Sequence, residues 1–343
     1  MIWVSLSALR FFLAFIVFIC HFFTFFYQIP DSIHLKFLAY FLRLLGLPAV
    51  IGFLLISGYS IAHSVHNKVK GFYKRRILRL YPLYFISILY SFVPFLIKGQ
   101  NLIVLTGVSS EGNFRLPSFE NTILNMSFLQ FITGDQLSSN RVVWSLALEV
   151  SLYLLAPFLI RINSVTLLVL SIVSSCIYVI YPLTNLPYFS GIPLGLNIIF
   201  LGWPWLLGFY YYSYKDILKS SNILYVSGCL TLILNLMFSL RTHSLIVIAA
   251  SAVTQLSIYT ISCFILINSN TFIINPVIIN VFNILGKLSY PLYLFHIPTS
   301  IICYSVLGFR NFWAHTYFVI LISYLMLILF DNNSKLQKTK LEK

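Results

Sequence analysis

Ser7 to Tyr27 reads SALRFFLAFIVFICHFFTFFY, an almost unbroken apolar run interrupted by Arg10 and His21. It is long enough to cross the hydrocarbon core of a bilayer, which takes roughly 20 residues as a helix. The run has no convincing small-residue cleavage site, so it is expected to remain as a membrane helix rather than be removed as a signal peptide. Arg10 and His21 lie eleven residues apart. That is close to three turns, so they share one helix face with Ala14 and Val17 between them, about 16 Å apart along the axis.

The pattern repeats outward from this run. Apolar stretches of spanning length occur near 44–64, 80–98, 142–160, 165–181, 195–213, 222–240, 244–267, 285–308 and 313–330. Hydrophobic residues make up 59% of the 343-residue chain and charged residues 9%. An ordinary soluble domain is about 45–50% apolar and about 25% charged. The expected fold is all-α, a polytopic integral membrane protein of about ten transmembrane helices. Residues 1–334 form the membrane domain and 335–343 a short basic tail. The five cysteines each sit inside an apolar run without metal-ligand spacing, and no metal site is expected.

The formal charge of +14 does not point to nucleic acid, because it falls in clusters between apolar runs. Residues 65–79 carry Lys68, Lys70, Lys74, Arg75, Arg76 and Arg79. Lys215 and Lys219 form a second cluster, and Lys335, Lys338, Lys340 and Lys343 a third. Basic short loops face the cytoplasm. With about ten spans and both termini inside, all three clusters fall on that side. The long segment 99–141 then faces outward. Within it, Thr122–Thr133 is apolar but too short to span, and reads as interfacial, re-entrant or packed.

Of the eight acidic residues, Asp31, Glu111, Glu120, Asp135, Asp216, Asp331 and Glu342 fall in loops or the tail. Glu149 falls inside a span. A charge at mid-helix costs about 2.5–3.5 kcal/mol on insertion scales, so it marks a function or a buried partner. His21 is a second such group, His296 in the ninth run a third, with Tyr293 one turn away on the same face. The remaining histidines (His34, His63, His66, His243 and His315) read as interfacial. Arg75 and Arg79 share a helix face, and the planar guanidinium suits phosphate oxygens.

Together these residues resemble the acyltransferase 3 family. Leu9-Arg10 followed by His21 is similar to its arginine–ten residues–histidine signature. Ser57-Gly58-Tyr59 looks like its second-helix turn. Arg75-Arg76-Ile77-Leu78-Arg79-Leu80-Tyr81-Pro82 matches Arg-Arg-x-x-Arg-x-x-Pro. Trp144-Ser145-Leu146 with Glu149, Tyr153 and Pro157 matches Trp-Ser-Leu-x-x-Glu. Phe200–Gly208 resembles a weaker glycine-bearing segment. Gly286, Ser289-Tyr290, Leu292-Tyr293-Leu294 and His296 resemble the closing block. Ser7, Leu13, Val150 and Leu152 depart from the family pattern, as do Ile51, Gly52 and Leu54.

The resemblance implies a stand-alone enzyme of the bacterial cytoplasmic (inner) membrane. It would move an acyl group, acetyl by family habit, from acetyl-CoA to a hydroxyl of a surface polysaccharide or lipid-linked sugar. His21, Glu149 and Arg10 would be catalytic, with His21 as general base. Arg75, Arg76 and Arg79 would hold the acyl-CoA, and Trp144, Ser145, Tyr153, Ser289, Tyr290, Tyr293 and His296 would support the site. Glu149 is expected to orient His21, pair with Arg10 or hold an acceptor hydroxyl. The expected partners are acyl-CoA, the glycan acceptor and membrane lipid. The residues alone also suit a glycan transporter, or a glycan polymerase or ligase.

Overall fold

The computed structural model describes residues 2–27, 32–99, 101–103, 113–133, 135–216, 219–241, 243–269 and 275–341. Asp31, Glu111, Glu342 and Lys343 lie outside them. The helices are α1 (Ile2–Phe25), α2 (Ile33–Arg43), α3 (Gly46–Asn67), α4 (Phe72–Tyr90), α5 (Val93–Lys98), α6 (Phe119–Met126) and α7 (Gln130–Thr133). They continue as α8 (Val143–Leu159), α9 (Ser164–Ile180), α10 (Asn197–Ser213), α11 (Ser220–Ser239), α12 (Leu245–Asn268), α13 (Pro276–Ser305) and α14 (Phe312–Leu341). Two short strands, β1 (Asn101–Ile103) and β2 (Asn113–Arg115), pair antiparallel.

Every apolar stretch singled out in the sequence is helical. Among the described residues, 8 helical stretches are long and apolar enough to cross a membrane. The helices α8 and α10 are shorter, at 17 residues each. Helix α14 runs through position 334 without a break. The outer faces are apolar at helical spacing: Val165, Val169, Ile172 and Val173 on α9, and Val226, Leu230, Ile233 and Met237 on α11 are exposed. Such stripes would be a liability in water and suit contact with lipid chains. This is a multi-pass membrane protein.

Two crossings organise the bundle, α3 on α10 and α1 on α13. The first works through glycine. A Cβ on Gly58 would lie 1.9 Å from the carbonyl oxygen of Trp205, and one on Gly208 would lie 2.0 Å from that of Leu55. Backbones approach this closely only where side chains are missing, the usual device where no water drives helices together. The second crossing seats Gly286 on Ser7, where a Cβ on the glycine would fall 2.4 Å from the Ser7 Cβ.

Prolines inside the helices free carbonyls for use across the bundle. Pro298 cannot donate to Leu294, and Asn140 Nδ2 donates to that carbonyl at 3.2 Å instead. The outer segment is packed rather than free. Tyr84 Oη donates to Asn125 O at 2.6 Å, and Gln130 Nε2 donates to Val143 O at 3.1 Å. Within 122–133 the chain forms the end of α6, a turn and α7, with Asn125 and Gln130 buried and Ile123, Leu129 and Ile132 exposed.

The basic clusters at 65–79 and 215–219 come together. His63 Nδ1 lies 2.9 Å from Tyr212 Oη, and Lys215 sits over the Tyr212 ring. Trp3 packs on His63, so the start of α1 is at the same end.

Candidate functional site

Two cavities enter the bundle from opposite ends. The larger has a volume of about 1730 Å³ and lies among the starts of α1, α4 and α13 and the end of α3. Arg10, Arg75, Arg76, Arg79, Lys68 and Lys287 line it. Glu149 and Tyr153 from α8 and Ser289 and Tyr290 from α13 complete the wall. The smaller, about 540 Å³, lies among the end of α1, the starts of α3, α8 and α12, and the segment after α9. It contains His21 and Trp144. Tyr293 and Val50 line both cavities.

The arginines of the large cavity are not equivalent. Arg75 Nη1 donates to Lys70 O at 2.7 Å and Nη2 to Lys68 O, so this guanidinium ties down the loop before α4. Arg76 is half-buried, with its guanidinium 5.6 Å from the centre of the Phe72 ring and 6.0 Å from that of Tyr153. Its Nε is buried with no hydrogen-bond partner among the described residues. Arg79 is exposed in the same cavity. Arg10 donates from Nη2 to Ser60 Oγ at 2.5 Å.

Of the first two partners expected for it, Glu149 is apart from His21 but within electrostatic range of Arg10. Its Oε1 accepts hydrogen bonds from Ser57 Oγ and Tyr153 Oη. His21 is in the other cavity, and Arg10 is bonded to Ser60. The supporting residues divide the same way. Tyr290 Oη donates to Leu80 O at 2.9 Å, fixing α13 to α4, and Ser289 Oγ donates to Gly286 O at 2.7 Å. Ser145 Oγ and Tyr293 Oη are 2.6 Å apart at the partition between the cavities. Trp144, one residue earlier, turns to the small cavity and meets Tyr188 edge-on at 6.3 Å.

His21 and His296, 275 residues apart in sequence, are joined. His21 Nδ1 lies 2.9 Å from His296 Nε2, and His296 Nδ1 lies 3.1 Å from Leu292 O. The carbonyl can only accept, so His296 Nδ1 carries a hydrogen. In neutral His296 the other nitrogen, Nε2, is then the acceptor, and His21 Nδ1 must donate to it. That leaves His21 Nε2 with a free lone pair. A backbone carbonyl thus sets the tautomer of one ring, and that ring sets the tautomer of the next. His296 is 1% exposed and so closed to solvent, while His21 is half-buried and lines the small cavity.

The sequence leads to a shared helix face running from Arg10 to His21, with Ala14 and Val17 between them. The structure closes that face with packing: Ala14 is 0% and Val17 1% exposed. Arg10 and Glu149 therefore share one cavity and His21 occupies the other. Ser60 is a partner of Arg10 that sequence reasoning misses, and Ser57, quoted there only within the second-helix turn, is a partner of Glu149. His315 also departs from expectation. It is fully buried, with Nε2 donating to Phe309 O at 3.1 Å.

A helical membrane bundle with a cationic cavity at one end and a histidine relay at the other has the layout of a membrane enzyme. The chain belongs to the acyltransferase 3 family: the family model described as an acyltransferase domain matches residues 3–330. It is a membrane acyltransferase. Neither curated proteins nor solved structures give a match.

Proposed function

We propose that the protein transfers an acyl group, acetyl in the simplest case, from acetyl-CoA to a hydroxyl of a cell-surface polysaccharide such as O-antigen or its lipid-linked precursor. It would do so in the bacterial inner membrane, with the basic cavity facing the cytoplasm. The observation that carries the reading is the relay that leaves His21 Nε2 a hydrogen-bond acceptor at the end of a cavity.

The donor is an anion with several phosphates. Arg76 and Arg79 offer guanidinium groups not committed to the protein's own carbonyls, and Arg10 and Lys287 extend the positive wall. Arg75 contributes by holding the loop beneath them. In the reaction, His21 Nε2 takes the proton of the acceptor hydroxyl while its oxygen attacks the thioester carbonyl. The C–S bond breaks as the tetrahedral intermediate collapses, and the imidazolium returns the proton to the departing thiolate. His296 holds the ring so that Nε2, not Nδ1, receives that proton. Glu149 sits on the donor side, fixed by Ser57 and Tyr153, and orients groups there.

The test is acetyl-CoA consumption by purified protein in detergent with no gradient present. Release of free CoA that depends on added host glycan supports the reading. A protein that binds glycan but leaves acetyl-CoA intact is a transporter, and the proposal is then wrong.

A further inference from the structure

The small cavity has a chemistry of its own. Its walls combine aromatic rings (Trp144, Tyr178, Tyr188, Phe189) with neutral polar side chains from α11 and α12, among them Asn235, Ser251 and Gln255. Among the described residues no carboxylate lines it. Its cation, Arg43, is turned to the protein, with Nε donating to Phe23 O at 2.7 Å. The volume of about 540 Å³ falls inside the range of small-molecule sites, about 300–1,000 Å³.

One group in it is unexplained by the fold. Gln255 is 9% exposed, and its Oε1 is buried with no hydrogen-bond partner among the described residues. A buried amide oxygen without a donor costs about 1–3 kcal/mol. By contrast, Asn235 Nδ2 in the same wall donates to Tyr178 O at 2.8 Å. A ligand supplying hydroxyl hydrogens to Gln255 and apolar C–H faces to the aromatic rings would meet both demands. That is the surface of a pyranose. A phosphate, having only acceptor oxygens, would leave Gln255 Oε1 unpaired, and the Arg43 guanidinium already donates through Nε to Phe23 O. An acyl chain would leave the amide unpaired.

We propose that this second cavity is the acceptor site and that it holds one glycosyl unit, with Gln255 bonding a sugar hydroxyl and Trp144 and Tyr188 packing on the ring. This rests on the acyl-transfer reading above. The sugar then sits in the cavity that His21 lines, where one of its hydroxyls can reach Nε2. The donor occupies the opposite cavity, and the two substrates meet at Tyr293.

The experiment uses the full chain and the variants Gln255→Met and Tyr188→Ala, singly and together. Retention of labelled acetyl-CoA by purified protein and O-acylation of the host's surface glycan are measured side by side. Both variants are expected to keep donor retention at the wild-type level and to lower glycan acylation about tenfold or more. Unchanged donor retention also certifies that the variants are folded. Wild-type acylation in the double variant overturns the assignment. So does a parallel loss of acetyl-CoA retention, which would make this the donor's cavity. A wild-type protein that acylates no glycan sinks the broader reading instead. Assaying released polysaccharide and solvent-extracted lipid-linked glycan separately identifies which source supplies the sugar; loss of acylation of either one in the double variant supports the site.

Discussion

The two ends of the bundle are built on opposite principles. At the basic end, cations gather around a wide cavity of about 1730 Å³. At the histidine end, a cavity of about 540 Å³ is walled by aromatic rings and holds neutral polar groups. The first is suited to gripping a large, flexible anion by charge, where position can be loose. The second is suited to a small neutral group whose hydroxyl must meet one nitrogen lone pair. On the proposed reaction a cytosolic donor and an outer acceptor would use one cavity each, and Tyr293 lines both.

The sharpest way to break this comparison is His21→Ala. Acyl transfer should fall by about 10²–10⁴-fold while acetyl-CoA retention at the other end stays intact. Full activity in that variant would remove the histidine end from the chemistry. Next in size is His296→Phe, which deprives His21 Nδ1 of its acceptor. A ring free to rotate or change tautomer should cost roughly 10²-fold in kcat, with little change in KM for the donor. His296→Gln keeps a side-chain oxygen near that place and should recover part of the loss. Equal damage in both variants would mean that His296 merely fills space.

A smaller effect is expected at the basic end. Removing Arg76 and Arg79 together should raise KM for acetyl-CoA about tenfold or more and leave kcat less changed, because each charge-assisted hydrogen bond is worth roughly 1.5–3 kcal/mol. Arg75→Ala should instead lower thermal stability, since its partners are the Lys68 and Lys70 carbonyls. If Arg75 alone reproduced the KM effect, the division among the three arginines would be wrong. The smallest effect belongs to the partition. Tyr293→Phe loses the Ser145 contact, worth about 1 kcal/mol, but keeps the ring, and turnover should change only a few-fold. A large rise in CoA release without glycan acylation would show that the hydroxyl itself keeps the two cavities separate.

Much of this was legible in the residues. Each apolar run became a helix, because helix formation in a membrane depends on local composition and on satisfying every backbone group within the segment. His21, Glu149 and the arginines stood out because a charge or imidazole in a span is costly wherever it ends up. Their partners were not legible. Arg10 and His21 share a helix face, but the side chains between them are packed against neighbouring helices, so a shared face did not become a shared cavity. The partners of Glu149 are a serine on α3 and a tyrosine one turn along α8, neither of which announces itself as a carboxylate ligand.

The amino-acid order therefore determined the membrane body and the family and singled out the titratable groups proposed for the chemistry, since hydropathy and short spacings are properties of neighbouring residues. The tertiary structure alone decided the pairing of His21 with His296, the commitment of Glu149 and Arg75, and the placing of Arg10 and His21 in separate cavities. Those outcomes depend on which faces of distant helices meet, and glycine contacts such as Gly58 and Gly208 on α3 and α10 fix that meeting.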